Sequence, residues 1–233
     1  MQISSRRNLE VEVINLRNRP DRRAAIEREM SRIGWQPSFF FAEKPTEVGR
    51  FPSIGARGCF ESHLTVLRRH ITADRLILLE DDVNFIKNFR DHWAKVEAEL
   101  DQVDWSICYL GHFMKATVQG LVPLHPQQAV VCAHFMMFNG PAITRIVDEL
   151  SLIYRREAGD PRGGPMHVDG AYSTIRAQNP NLATWAYAPS LGYQRSSRTD
   201  IGNTKWFDRS KLLIPVVGVV RAARTVIRRQ FEE

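Results

Sequence analysis

A chain of 233 residues, 43% of them hydrophobic, is long and apolar enough for one sizeable globular domain. Its net charge of +6 is concentrated between positions 205 and 231, where seven basic residues face the single acid Asp208, so the body lacks the excess of a nucleic-acid binder and no nucleic acid is expected as a partner. Cys59, Cys108 and Cys132 lie far apart without a CxxC pair, which speaks against a zinc ribbon or a disulfide framework and fits a reducing compartment. The N-terminus lacks the apolar core of a signal peptide and no apolar run reaches the length of a membrane span, so a cytoplasmic protein is expected.

Residues 9–16, LEVEVINL, alternate and then turn apolar, as a first strand entering a sheet does. Pro20 and Asp21 then open a helix on which Ile26, Met30 and Ile33 recur at helical spacing, and Gly34 stops it. Between strand and helix, Arg17, Arg19, Arg22 and Arg23 crowd where a nucleotide phosphate can be held, or else form an exposed basic helix start. Neither GxGxxG nor GxxxxGK[ST] occurs, which argues against an ordinary dinucleotide fold or a P-loop enzyme. SFFFA, 38–42, predicts a second strand, and a loop rich in Pro and Gly runs from Lys44 to Gly58. Leu64, Leu67 and Ile71 continue from there with helical spacing, which puts Ser62 and His63 in the first turn of a helix. A lone histidine in such a place is more often structural than reactive.

The chain is organised around RLILLEDDV, 75–83. Leu76 to Leu79 read as a strand buried on both faces, and Glu80, Asp81 and Asp82 follow at once. Carboxylates at the C-terminal end of such a strand sit where open α/β sheets bind ligands, and adjacent carboxylates suit Mg²⁺ or Mn²⁺; a solvated acidic turn is the plainer alternative. Phe89, Trp93, Val96 and Leu100 predict another helix, and 105–111 and 129–138 two more strands. The alternation defines an α/β fold, a single domain with a mainly parallel sheet covered by helices on both faces. The catalytic domain is placed at 1–204 and a basic amphipathic tail at 205–233.

VINLRNRPDRR, GARGCFESHLTVLR, LLEDDV, HVDGAY (167–172) and QRSSRTDI (194–201) occur in the order seen in glycosyltransferase family 25, which the chain resembles over roughly its first 200 residues. That family includes bacterial lipopolysaccharide glycosyltransferases and the collagen galactosyltransferases. The resemblance implies a GT-A-like fold, Mn²⁺ or Mg²⁺ as cofactor, and inverting transfer of a hexose, galactose first, from a UDP-sugar to a lipopolysaccharide or other surface glycan. It also implies roles. Asp82 ligates the metal, with Glu80 beside it or on the ribose, and His167 can complete the shell. Ser62 and His63 match a Ser-His pair near the donor, Asp81 belongs to the acidic motif, and Asn15 with Arg17 or Arg22 lines the nucleotide. The chain departs from the family at Ala56, commonly Glu, and at His167, often Pro.

Asp169 is the candidate general base, because inversion needs a carboxylate opposite the leaving group; the same residue can equally cap the helix that follows. A sugar nucleotidyltransferase and a non-catalytic, membrane-associated glycan-binding adaptor are the alternatives. The first would be expected to carry a Gly-rich activation loop where RNRPDRR stands. In the tail, Val216, Val219 or Val220, Ala223, Ile227 and Phe231 share one helical face and Arg221, Arg224 and Arg228 another. Residues 212–231 are therefore expected to form an amphipathic helix on an anionic membrane surface, which places the protein on the inner face of the membrane, unless the helix packs on the body.

Overall fold

The computed structural model describes residues 8–114 and 118–195, so the tail, with its expected amphipathic helix, the 204/205 boundary and most of QRSSRTDI, lies outside the described residues. Strand β1 (Leu9–Leu16) and helix α1 (Pro20–Ile33) form the first unit. Pro20 starts the helix because a proline at the first position loses no hydrogen bond there. Gly34 ends it at φ 81°, a left-handed conformation that costs glycine little, and its N–H reaches back to Ser31.

Strand β2 (Ser38–Ala42) leads through a loop to helix α2 (Ile54–Arg69), then to β3 (Arg75–Glu80), the short β4 (Val83–Phe85) and α3 (Phe89–Leu100). Helix α2 begins earlier than its sequence suggests. Ser53 caps it, its hydroxyl accepting from the Ala56 N–H at 3.0 Å, and Gly55 and Gly58 are absorbed into the helix. A Cβ on Gly58 would stand 2.9 Å from Pro45 Cδ, so this glycine marks where the preceding loop presses against the helix, not where the loop ends. Ser62 and His63 consequently lie about two turns inside α2 instead of in its first turn.

The second half contributes β5 (Ile107–Tyr109), β6 (Gly120–Pro123), β7 (Phe135–Asn139), α4 (Gly140–Arg155), α5 (Val168–Gln178), β8 (Thr184–Ala188) and β9 (Gly192–Gln194). Seven strands form one sheet in the order β2-β1-β3-β7-β5-β8-β6, and β4 pairs with β9 in a separate ribbon. Five of the seven run the same way; β7 and β6 are antiparallel to their neighbours. The sheet is thus mostly parallel, as the alternation of elements implies, but β7 is inserted backwards at its centre. Apolar runs do not reveal this, because β7 is buried on both faces just as a parallel strand is.

Helices cover both faces. Ile26, Met30 and Ile33 of α1 and Val96 and Leu100 of α3 pack with Ile77, Leu79 and Met137 on one side of the sheet. Phe60 and Leu64 of α2, Ile143 and Ile146 of α4 and Ile175 of α5 pack with Leu76, Leu78 and Met136 on the other. Even-numbered residues of β3 therefore face α2, α4 and α5, and odd-numbered residues face α1 and α3. Among the described residues, no helix is long and apolar enough to cross a membrane.

Candidate active site

The alternation of β3 decides where its carboxylates go. Glu80 continues the even-numbered face and meets α2, where Cys59 Sγ donates toward Glu80 Oε1 at 3.5 Å and His63 Nε2 lies 3.5 Å from the same oxygen. Asp81 points to the opposite side. There Asn15, at the end of β1, donates from Nδ2 to Asp81 Oδ2 at 2.7 Å, and Arg22, in the first turns of α1, donates to Oδ1 at 3.0 Å. Asp82 follows in the turn, roofed by the β4–β9 ribbon: the Arg195 N–H donates to the Asp82 carbonyl at 2.6 Å and the Arg195 guanidinium to the Asp81 carbonyl at 2.9 Å.

Asp82 differs from its two neighbours. Among the described residues, its buried Oδ1 makes no hydrogen bond, and Oδ2 stands 3.9 Å from the Arg22 guanidinium. Burial, reinforced by the negative charge of Glu80, pushes its carboxyl up to about 7. Burial works against ionisation of Glu80 too, but His63 and His134 hold that carboxyl below its ordinary value. Burial raises Asp81 despite Arg22 and Asn15. A buried carboxylate oxygen without a partner, inside an acidic cluster, is the place where a divalent cation would restore charge balance.

Glu80, Asp81 and Asp82 line a cavity of about 250 Å³ between α1, α2 and the rim of the sheet, with Arg22, Lys44 and Arg195 among its lining residues. A second cavity, of about 190 Å³, adjoins it and shares Cys59, Glu80 and Gln194. It is lined by Asp169, His167 and the half-exposed Phe113. Asp169 is the second residue of α5, not its cap; His167 takes the cap position without a side-chain cap hydrogen bond. The carboxylate is oriented by two backbone N–H groups, Gly170 at 2.8 Å and Cys132 at 3.3 Å. Cys132 has φ 108°, an unfavourable backbone state for a residue with a Cβ, and such conformations persist where the surrounding structure dictates them.

Of Arg17, Arg19, Arg22 and Arg23, it is Arg22, inside the first turn of α1, that turns to Asp81. Arg17 pairs with Glu43 and lies over the Phe41 ring, Arg19 pairs with Asp21, and Arg23 pairs with Glu27 and lies over Phe39 and Phe41. Asn15 is buried and spends its amide on Asp81 and the Arg19 carbonyl. Ser62 lines the cavity but donates to the Gly58 carbonyl at 2.6 Å. Asp82, Glu80 and His167 do not bring three ligand atoms together: among the described residues, the only such group of His, Cys, Asp and Glu is Cys59, His63 and Glu80. Sequence reasoning did not single out Cys59, Cys132, Tyr172 or Arg195. Tyr172 closes HVDGAY, and its hydroxyl meets His63 Nδ1 at 3.1 Å. The i,i+4 spacing of Cys59 and His63 is the signal that could have found the first of them.

A mostly parallel sheet with carboxylates at its C-terminal rim and two adjoining cavities defines an α/β protein with a candidate ligand site at the end of its strands. The solved glycosyltransferase involved in the glycosylation of the major capsid of PBCV-1 shares this fold, with a TM-score of 0.52 over 82% of this chain and 94% of that one, at 10% identity. In sequence, the chain is 32% identical over 113 residues to "Putative glycosyltransferase R655" of Acanthamoeba polyphaga mimivirus, covering 40% of this chain and 35% of that protein. It is 30% identical over 127 residues to "Inactive glycosyltransferase 25 family member 3" of Homo sapiens, covering 44% of this chain and 21% of the relative. The similarity to glycosyltransferase 25 family members is therefore present in the curated relatives, of which the chain spans about a third or less. No family profile matches the chain.

Proposed function

We propose that this protein is a metal-dependent inverting glycosyltransferase that moves a hexose from a nucleoside diphosphate sugar to a glycan hydroxyl. The observation that supports it best is the pair of adjoining cavities, with the unpartnered Asp82 oxygen in one and the oriented Asp169 carboxylate in the other. The donor lies in the first cavity, its diphosphate toward Arg22 and Arg195, which match phosphate oxygens in geometry and charge. Asp82 would be the principal residue holding Mn²⁺ or Mg²⁺, and Glu80 would face the ribose or the ion's surroundings. Bound there, the cation stabilises the negative charge that grows on the departing diphosphate. Asn15 and Arg22 keep Asp81 from collapsing into the cation position.

The acceptor hydroxyl enters through the second cavity. Asp169 Oδ2 takes its proton as the oxygen attacks the sugar carbon from the side opposite the diphosphate, which inverts that centre. UDP-galactose as donor and a lipopolysaccharide or other surface glycan as acceptor rest on the family likeness. The adaptor reading draws on the human relative's being named inactive. The intact set of Glu80, Asp82 and Asp169 favours catalysis. Calorimetric titration with UDP tests the central claim: binding that needs Mn²⁺ and is lost in Asp82→Asn supports it, whereas metal-independent binding, or none, removes it.

A further inference from the structure

The acidic rim has a softer neighbour. Cys59 and His63 are four residues apart on α2, so both side chains leave the same face of the helix, one turn apart, and look onto Glu80. Cys59 Sγ and His63 Nε2 each lie 3.5 Å from Glu80 Oε1, and one ligand atom from each of the three residues lies within 4.8 Å of the other two. With zinc–nitrogen and zinc–oxygen bonds of about 2.0 Å and a zinc–sulfur bond of about 2.3 Å, a tetrahedral site places neighbouring donor atoms roughly 3.3 to 3.6 Å apart. Two of the three edges already have that length.

The imidazole is prepared for such a role. His63 is 0% exposed, its Nδ1 faces the Tyr172 hydroxyl at 3.1 Å, and its buried Nε2 makes no hydrogen bond. In the tautomer that binds a cation, Nδ1–H donates to the tyrosine oxygen and Nε2 gives its lone pair to the metal, which takes the place of the Nε2–H that otherwise faces Glu80. This outer partner fixes ring orientation and tautomer, as partners of metal-binding histidines do.

We propose that Cys59, His63 and Glu80 form a site for a thiophilic divalent cation, zinc first, separate from the hard-cation position at Asp82. Thiolate, imidazole and carboxylate suit zinc, whereas Mg²⁺ takes oxygen ligands. Cys59 and Glu80 line both cavities, so the trio stands in the partition between them, and three protein ligands leave a fourth position for water or a ligand atom. Binding displaces the Cys59 thiol proton to solvent as the sulfur–metal bond forms. Glu80 cannot serve zinc and the donor at once, so under the proposed function zinc there would compete with transfer; the site itself stands on its own geometry.

Cobalt(II) titration of the full chain tests the site. A thiolate-to-cobalt charge-transfer band should appear, vanish when zinc is added, and be absent in Cys59→Ser. Cys132→Ser, which changes the other thiol of the second cavity, should keep it. Zinc affinity of Cys59→Ser should fall by at least roughly 100-fold, the upper end of what outer-shell partners alone contribute, and His63→Asn should weaken it comparably. No thiolate band in the wild type, or a band that survives in Cys59→Ser, overturns the proposal. The two readings fail separately: loss of Mn²⁺-dependent UDP binding removes the transferase claim and leaves the zinc site, and a missing thiolate band does the reverse.

Discussion

The two walls of the first cavity treat adjacent carboxylates in opposite ways. On the β1–α1 side, Asp81 is clamped by an amide and a guanidinium at ordinary hydrogen-bond distances. On the α2–α5 side, Glu80 meets a thiol and an imidazole at 3.5 Å, looser contacts that a ligand can displace. Asp82, next after them in sequence, has one oxygen with no hydrogen-bond partner among the described residues. Three acidic residues in a row thus have three environments, because period-two alternation sends the first two to opposite faces and the turn leaves the third at the rim.

Breaking the unpartnered position should have the largest effect. Asp82→Asn is expected to abolish transfer and metal-dependent UDP binding while the fold persists, measurable by a radiolabelled-sugar assay beside circular dichroism. Near wild-type, Mn²⁺-dependent turnover in that variant would show that the contrast between Asp82 and its neighbours has no functional meaning. Asp169→Asn lies across the partition and should lower kcat by roughly 10²-fold to 10⁴-fold with UDP binding retained. If UDP binding falls equally, Asp169 serves the donor instead.

The clamps themselves come next. Asn15→Ala removes the 2.7 Å hydrogen bond to the buried Asp81 carboxylate and should cost about 1–3 kcal/mol, or several degrees in Tm for a chain of this size. Tyr172→Phe removes a single hydroxyl contact to His63 and should cost about 0.5–1.5 kcal/mol. Thermal melts of the two variants sharpen the comparison, and a larger loss in Tyr172→Phe would reverse which wall is the rigid one.

A pH dependence of the metal-free protein separates Asp82 from its neighbour Glu80. Asp82 is raised from 3.8 to about 7 in the folded state, so between those values the folded chain binds more protons than the unfolded one. Its contribution to stability is therefore favourable below that window and declines as pH rises through it. Glu80, lowered in the fold, acts in the opposite sense, its contribution declining as pH falls. Melts across pH 4 to 8 should show Asp82→Asn gaining on the wild type towards neutral pH. A constant difference would mean that the Asp82 carboxyl is not raised.

Much of the frame is fixed by residue order. β1, α1, β2 and β3 are legible because an apolar period of two or of three to four, punctuated by Pro20 and Gly34, is a local property of the chain. Glu80, Asp81 and Asp82 could be placed at the end of a buried strand for the same reason. The direction of β7 and the start of α2 could not. The first depends on which neighbours a doubly buried strand finds, and the second on Gly58 yielding space to Pro45 from a loop closed by tertiary packing. The choice of Arg22 over Arg17 was likewise decided in three dimensions, since Glu43 and the Phe41 ring draw Arg17 away. Sequence order determined that three carboxylates stand together at the end of a strand; only the partners that the folded chain brings within 3 or 4 Å decided which one is left for a ligand, because charge balance in a buried site depends on distances that the sequence does not contain.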